Sequence, residues 1–104
     1  MKYKLVFTVP LADADKVRHA VGEAGAGKSD KYSFSSFSVR GTGRFLPEEG
    51  ATPAIGEVGT LEEVEEERVE CQVDEMYIDD VIAALKKSHP YEEIAYDVQV
   101  LEDM

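Results

Sequence analysis

A chain of 104 residues has the length of one ordinary domain, and a 43% hydrophobic share suffices for a modest core but is too high for a disordered chain. Twenty-two acids against 11 bases leave a net charge of −11. That balance opposes nucleic acid and anionic membranes, which need positive surface, and no apolar run approaches the ~20 residues that cross a bilayer.

The opening MKYKLVFTVP is basic and then apolar, like the start of a secretory signal. Its apolar stretch is short and alternating, however, and Pro10 and Asp13 follow at once, so it reads as the first strand of a cytoplasmic protein. Tyr3, Leu5, Phe7 and Val9 share one face; Lys4, Val6 and Thr8 take the other. Pro10 ends the strand. A helix follows over about 12–24, with Val17, Ala20, Val21 and Ala24 as its apolar stripe, Asp13 or Asp15 as candidate cap, and Gly25 and Gly27 as its stop.

The run YSFSSFSVRG supplies a second strand, whose phase changes between Phe34 and Phe37 and predicts a bulge at Ser35–Ser36. Residues 41–66 are rich in glycine and proline and read as an excursion from the fold, with Arg44, Phe45 and Leu46 placed to extend the hairpin. The acid-rich end of this stretch leads into RVECQV, a strand with Val69, Cys71 and Val73 inward. Cys71 is the single cysteine, so no internal disulfide forms, and its position marks a buried thiol. Asp74 caps a second helix, about 75–88, whose stripe is Ile78, Val81, Ile82 and Leu85; Lys86 and Lys87 suit its negative end, and Pro90 stops it. In the last strand, Ile94, Tyr96, Val98 and Val100 share one face, and Glu93, Ala95, Asp97 and Gln99 the other.

The two halves repeat. A shift of 64 positions carries Leu5 to Val69, Phe7 to Cys71, Val17 to Val81, Val21 to Leu85 and the helix stop Gly25 to His89. Two strand–helix–strand halves predict an α+β fold: a ferredoxin-like βαββαβ sandwich, its antiparallel sheet carrying two helices on one face, across a single domain of residues 1–104.

Two clusters are candidate sites. Arg40, Gly41, Thr42, Gly43, Arg44 and Phe45 offer backbone N–H groups and two guanidiniums to an anion or small molecule, or form a plain twisted hairpin. They match neither phosphate-loop signature. In HPYEE, His89, Tyr91 and Glu92 offer contacts to a cation or polar group, or form a structural turn in which His89 pairs with Glu92. Glu92 and Glu93 are adjacent on a strand, so their side chains point to opposite faces and cannot easily grip one metal together. His19, beside Arg18, is a surface residue. The open sheet face, with Val6 and Ala95 in its middle, is either wet or packed against copies of itself; the small two-helix core favours association.

The stretches AGAGKSDKYSFSSFSVRGTGRFLPEEGATPAIGEVGTLEEVEEERVE and ALKKSHPYEEIAYDV resemble the CutA/PII-like domain inserted into YqfO-type proteins, the dinuclear-metal family labelled GTP cyclohydrolase I type 2 homologues. The resemblance covers about residues 3–101 and is carried by GTGRF, then the P, G, P, G series, then HPYEE. It implies a CutA/PII-like fold, trimers, and small ligands or divalent ions bound in clefts between subunits, which the glycine-rich stretch and HPYEE would line. The family's metal ligands lie in halves flanking the insert. With only His19 and His89 this chain does not reproduce them, so no catalytic residue or hydrolase activity is carried over.

The expected function is therefore a non-enzymatic, homo-oligomeric sensor or regulatory module, trimeric by resemblance, binding a small ligand or a divalent ion. Its rival is an accessory subunit covering the active site of a separately encoded YqfO-type partner. A small enzyme in its own right has the least support, because no nucleophile–base pair is visible.

Overall fold

The computed structural model describes residues 1–103. Strand β1 (Lys2–Pro10) leads through a single 3-10 turn (Leu11–Asp13) into α1 (Ala14–Glu23). Strands β2 (Phe37–Phe45) and β3 (Glu62–Asp74), helix α2 (Ile78–Ser88) and strand β4 (Tyr96–Leu101) follow. The sheet order is β2-β3-β1-β4, and every neighbouring pair is antiparallel. With both helices packed on one face, this is the ferredoxin-like arrangement expected from the repeat.

The core forms where the two apolar stripes meet the inward strand residues. Leu5, Phe7 and Val9 of β1, Val69, Cys71 and Val73 of β3, Val17 and Val21 of α1, and Val81 and Leu85 of α2 are all buried. Positions related by the repeat thus share one environment. Each aliphatic side chain buried there contributes about 1.5–3 kcal/mol relative to exposure.

Helix ends follow local chemistry. At the end of α1, the Ala26 N–H donates to Val21 O (2.9 Å) and the Gly25 N–H to Gly22 O (3.1 Å). This paired closure needs a left-handed residue, and Gly25 supplies it at φ +121°. Neither Asp13 nor Asp15 makes a side-chain capping bond to α1. Before α2, Asp74 Oδ1 accepts from the Met76 N–H (3.1 Å) and Asp74 O from the Tyr77 N–H (2.9 Å). That turn consumes Glu75–Tyr77, so the helix starts at Ile78. His89, held extended before Pro90, ends it.

The middle of the chain departs most from expectation. Strand β2 begins at Phe37, after the residues assigned to a bulge, and β3 begins at Glu62. The unpaired excursion is therefore 46–61; its expected flanks are ladder, with Gly41 opposite Glu66 and Phe45 opposite Glu62. Strand β1 meets β3 only from Glu66 onward, so Glu62–Glu65 and their β2 partners project as a two-stranded arm. The molecule is correspondingly long, 46 × 23 × 23 Å. At the other edge, Val98 lies opposite Leu5 and Val100 opposite Tyr3, on the helix-covered face as expected. The helices nonetheless leave both exposed, Val100 by 65%. Among the described residues, no helix is long and apolar enough to cross a membrane.

Candidate functional site

The two sequence clusters meet at one end of the sheet. There, β2, the stretch 46–55 and the turn after α2 enclose an open groove of about 1040 Å³. Arg40, Gly41, Thr42, Gly43, Arg44, Phe45, Tyr91 and Glu92 all line it. His89 does not. It is 6% exposed; its Nε2–H donates to Thr8 O (2.8 Å), and its Nδ1 accepts from the Tyr91 N–H (3.1 Å). This pattern uses the neutral ring with its proton on Nε2. His89 pins the turn to β1 from behind, and its expected pairing with Glu92 is replaced by these two bonds.

Glu92 turns instead to the excursion, where its Oε1 accepts from the Thr52 N–H (3.0 Å). That bond and the buried Pro47 hold the 46–55 stretch over the groove. Tyr91 closes the floor. Its hydroxyl donates to Glu66 Oε2 (3.0 Å), and its ring meets Phe45 edge-on, 5.7 Å between centroids and 62° between planes. Burial first, then the Glu66 bond and charge, then Asp13, hold the Tyr91 phenol well above its ordinary pKa.

Strand geometry changes the reading of Arg40–Phe45. Successive N–H groups of a paired, extended strand point alternately toward the partner strand and away from it, so they do not converge on an anion. The guanidiniums are also partly engaged: Arg44 lies 3.4 Å from Glu63, and Arg68, which the sequence did not single out, lies 3.9 Å from Glu70. Glu48, Glu49, Glu66, Glu92 and Glu93 line the groove together with Arg40, Arg44 and Arg68, but on the ladder Arg40 and Arg44 share a strand face with Glu67 and Glu63, the face opposite Glu66.

Glu66 is the residue that sequence reading missed. It lay within an acidic run taken as the end of the excursion, yet it is only 7% exposed. The available signal was phase: counted back from Val69, Glu66 falls on the face of Arg68 and Glu70, opposite the side-chain-free Gly41. Its carboxylate lies over Gly43, where a Cβ would sit 2.0 Å from Oε1.

A different run, Gly22 to Ser29, has the G-x-x-x-x-G-K-S spacing of a phosphate loop. Here it follows a helix and opens none, and the Gly27 N–H is taken by Gln72 O (2.7 Å). Lys28 sits over the Tyr77 ring, 5.5 Å from its centroid. The spacing is thus a helix stop. Among the described residues, no three His, Cys, Asp or Glu side chains converge as a metal set would require.

No family model matches the chain. In architecture it is similar to the periplasmic divalent cation tolerance protein CutA of Archaeoglobus fulgidus, with a TM-score of 0.71 at 16% identity over 100% of this chain and 87% of that one. The Bacillus subtilis GlnK–ATP complex is similar with a TM-score of 0.61 at 15% identity, over 93% and 78%. The fold is that of the CutA and PII-like modules.

Sequence narrows this further. The chain is 52% identical over 99 residues to a GTP cyclohydrolase 1 type 2 homologue of Halalkalibacterium halodurans and 48% identical over 99 to that of Bacillus subtilis. These matches cover 95% of this chain and 27% and 26% of theirs. A Bacillus cereus protein related to NIF3 superposes with a TM-score of 0.83 at 44% identity, over 98% of this chain and 26% of that one. The chain is a close homologue of one segment of the GTP cyclohydrolase 1 type 2 homologues, the YqfO- and NIF3-related proteins, and spans about a quarter of their length.

Proposed function

We propose that the chain is a homo-oligomeric regulatory module that binds a small organic ligand in the β2 groove and performs no chemistry on it. One observation carries this reading: three separate segments are tied into a single groove by the Tyr91–Glu66 and Thr52–Glu92 bonds, so the cleft is preorganised. A bound divalent ion has less support, since the groove's carboxylates are engaged with the protein or spread along its rim. Tyr91, the one hydroxyl bonded to a carboxylate there, is held protonated, the opposite of what a nucleophile needs.

Association is supported by two uncovered sheet edges and by apolar side chains beside them, Phe37 and Val39 on β2 and Val98 and Val100 on β4. A trimer is the expected state. Light scattering should return three times the chain mass; a monomer at micromolar concentration would remove this part of the proposal. A thermal-shift screen of nucleotides, amines, amino acids and divalent ions tests the rest. An organic hit is expected, and flat responses throughout would refute ligand binding.

A second reading rests on the 52% identity to part of a YqfO-type protein. The module would then sit over the catalytic portion of such a protein, in the same chain or a separate one. Co-purification with a YqfO-type protein, lost on substitution of Phe37 and Val39, would favour it.

A further inference from the structure

The groove's floor holds a carboxylate that makes no ion pair among the described residues. Glu66 is 7% exposed, and among the described residues no Lys, Arg or His nitrogen lies within 4.0 Å of it. Its Oε2 takes the Tyr91 hydroxyl, whereas Oε1 has no hydrogen-bond partner among the described residues. Since no fully buried side-chain oxygen among the described residues lacks one, Oε1 still reaches the groove that Glu66 lines. Gly43 is what leaves it room, because any Cβ there would occupy its position.

A carboxylate so withdrawn from water is unfavourable unless paired. Its surroundings deepen the negative potential. Asp13 acts on the same Tyr91 hydroxyl, and Glu48, Glu49, Glu92 and Glu93 line the walls. Arg40 and Arg44 share the strand face of Glu67 and Glu63, away from Glu66, and Arg68, on the face of Glu66, is drawn toward Glu70. The Phe45 and Tyr91 rings line the groove beside the carboxylate, crossed at 62°, and an aromatic face attracts cations and flat groups.

From this juxtaposition we infer that the groove selects a ligand carrying a protonated nitrogen on a flat group, an amidinium or guanidinium. Its N–H groups donate to Glu66 Oε1, and its plane packs against one of the two crossed rings, with the other at its edge. The inference rests on the ligand-binding reading above and assigns the chemical class. It puts a cation where Arg40–Phe45 were candidate contacts for an anion or small molecule.

Benzamidine and its neutral near-isostere benzamide test this by calorimetric titration of the intact protein. Benzamidine should bind, with benzamide weaker by about tenfold or more. Glu66→Gln keeps an oxygen for Tyr91 but removes the charge, so it should weaken benzamidine by about the same factor while leaving the melting temperature near that of wild type. Gly43→Ala, which fills the space of Oε1, should block binding as well. Equal affinities for the two probes, or benzamidine binding indifferent to Glu66→Gln, would overturn the cation assignment. Groove resonances that still shift with another ligand in the screen would then leave the ligand-binding reading standing. No response from either probe or any other ligand would end both.

Discussion

Replacing Gly43 with alanine separates this description from a generic hairpin. Gly43 has no left-handed backbone requirement, and alanine in an ordinary strand is stabilising by about 0.4–1 kcal/mol relative to glycine. Opposing this, the new Cβ would fall 2.0 Å from Glu66 Oε1 and 2.6 Å from its Cδ, so the carboxylate must swing away. The swing breaks the charge-assisted bond from Tyr91, worth about 1.5–3 kcal/mol, with the lower half fitting a partly exposed phenol. The net expectation is destabilisation by about 1 kcal/mol. Gly41→Ala is the control: nothing lies within 4 Å of its Cβ, so it should be neutral or mildly stabilising. In a Tyr91→Phe background, where no bond remains to break, Gly43→Ala should lose most of its cost. Urea unfolding of the four proteins and the double variant measures each step. If Gly43→Ala is as benign as Gly41→Ala, or costs the same without the Tyr91 hydroxyl, Glu66 is not held where we place it.

His89→Ala removes the donor to Thr8 O and the acceptor for the Tyr91 N–H, so urea unfolding should show a loss of about 2–3 kcal/mol; a change within ~0.5 kcal/mol would refute its structural role. The Tyr91 phenol is raised above its ordinary value near 10, so the unfolded chain gives up that proton first. The stability it supplies is intact below pH ~10 and lost as pH climbs toward the folded value. Unfolding midpoints at about pH 9 and about pH 11 should fall less in Tyr91→Phe than in wild type, and equal falls would contradict this. Burial pushes the Cys71 thiol up to about 11, so a thiol reagent near neutral pH should label the native protein far more slowly than the urea-unfolded chain.

The strands and helices were legible because their signals are local. Alternation in 3–9 and 69–73, the 3.6-residue stripes ending in Ala24 and Leu85, and the stops at Gly25 and Pro90 each act within a few residues. The 64-residue repeat then arranged them. What escaped was set by pairing across the chain. Glu62–Glu65 has no apolar alternation, because as part of the projecting arm it needs none; its strand character comes from β2 alone. The rows of Val98 and Val100 were read correctly, but no local signal says how far a helix reaches across a sheet.

The site divided in the same way. HPYEE was legible as both turn and contact: His89 serves the turn, and Tyr91 and Glu92 face the groove. Glu66 is the groove's buried carboxylate among the described residues, yet its burial depends on Tyr91 from 25 residues away and on the missing side chain of Gly43.

Amide chemical shifts, followed while the best-binding organic ligand is titrated into the labelled protein, test the central claim most directly. The account predicts shifts concentrated at Thr42–Leu46, Ala51–Ile55 and Tyr91–Glu93, with Glu66 among them. Shifts centred instead on the hollow lined by Lys2, Lys4 and Lys28 would contradict it.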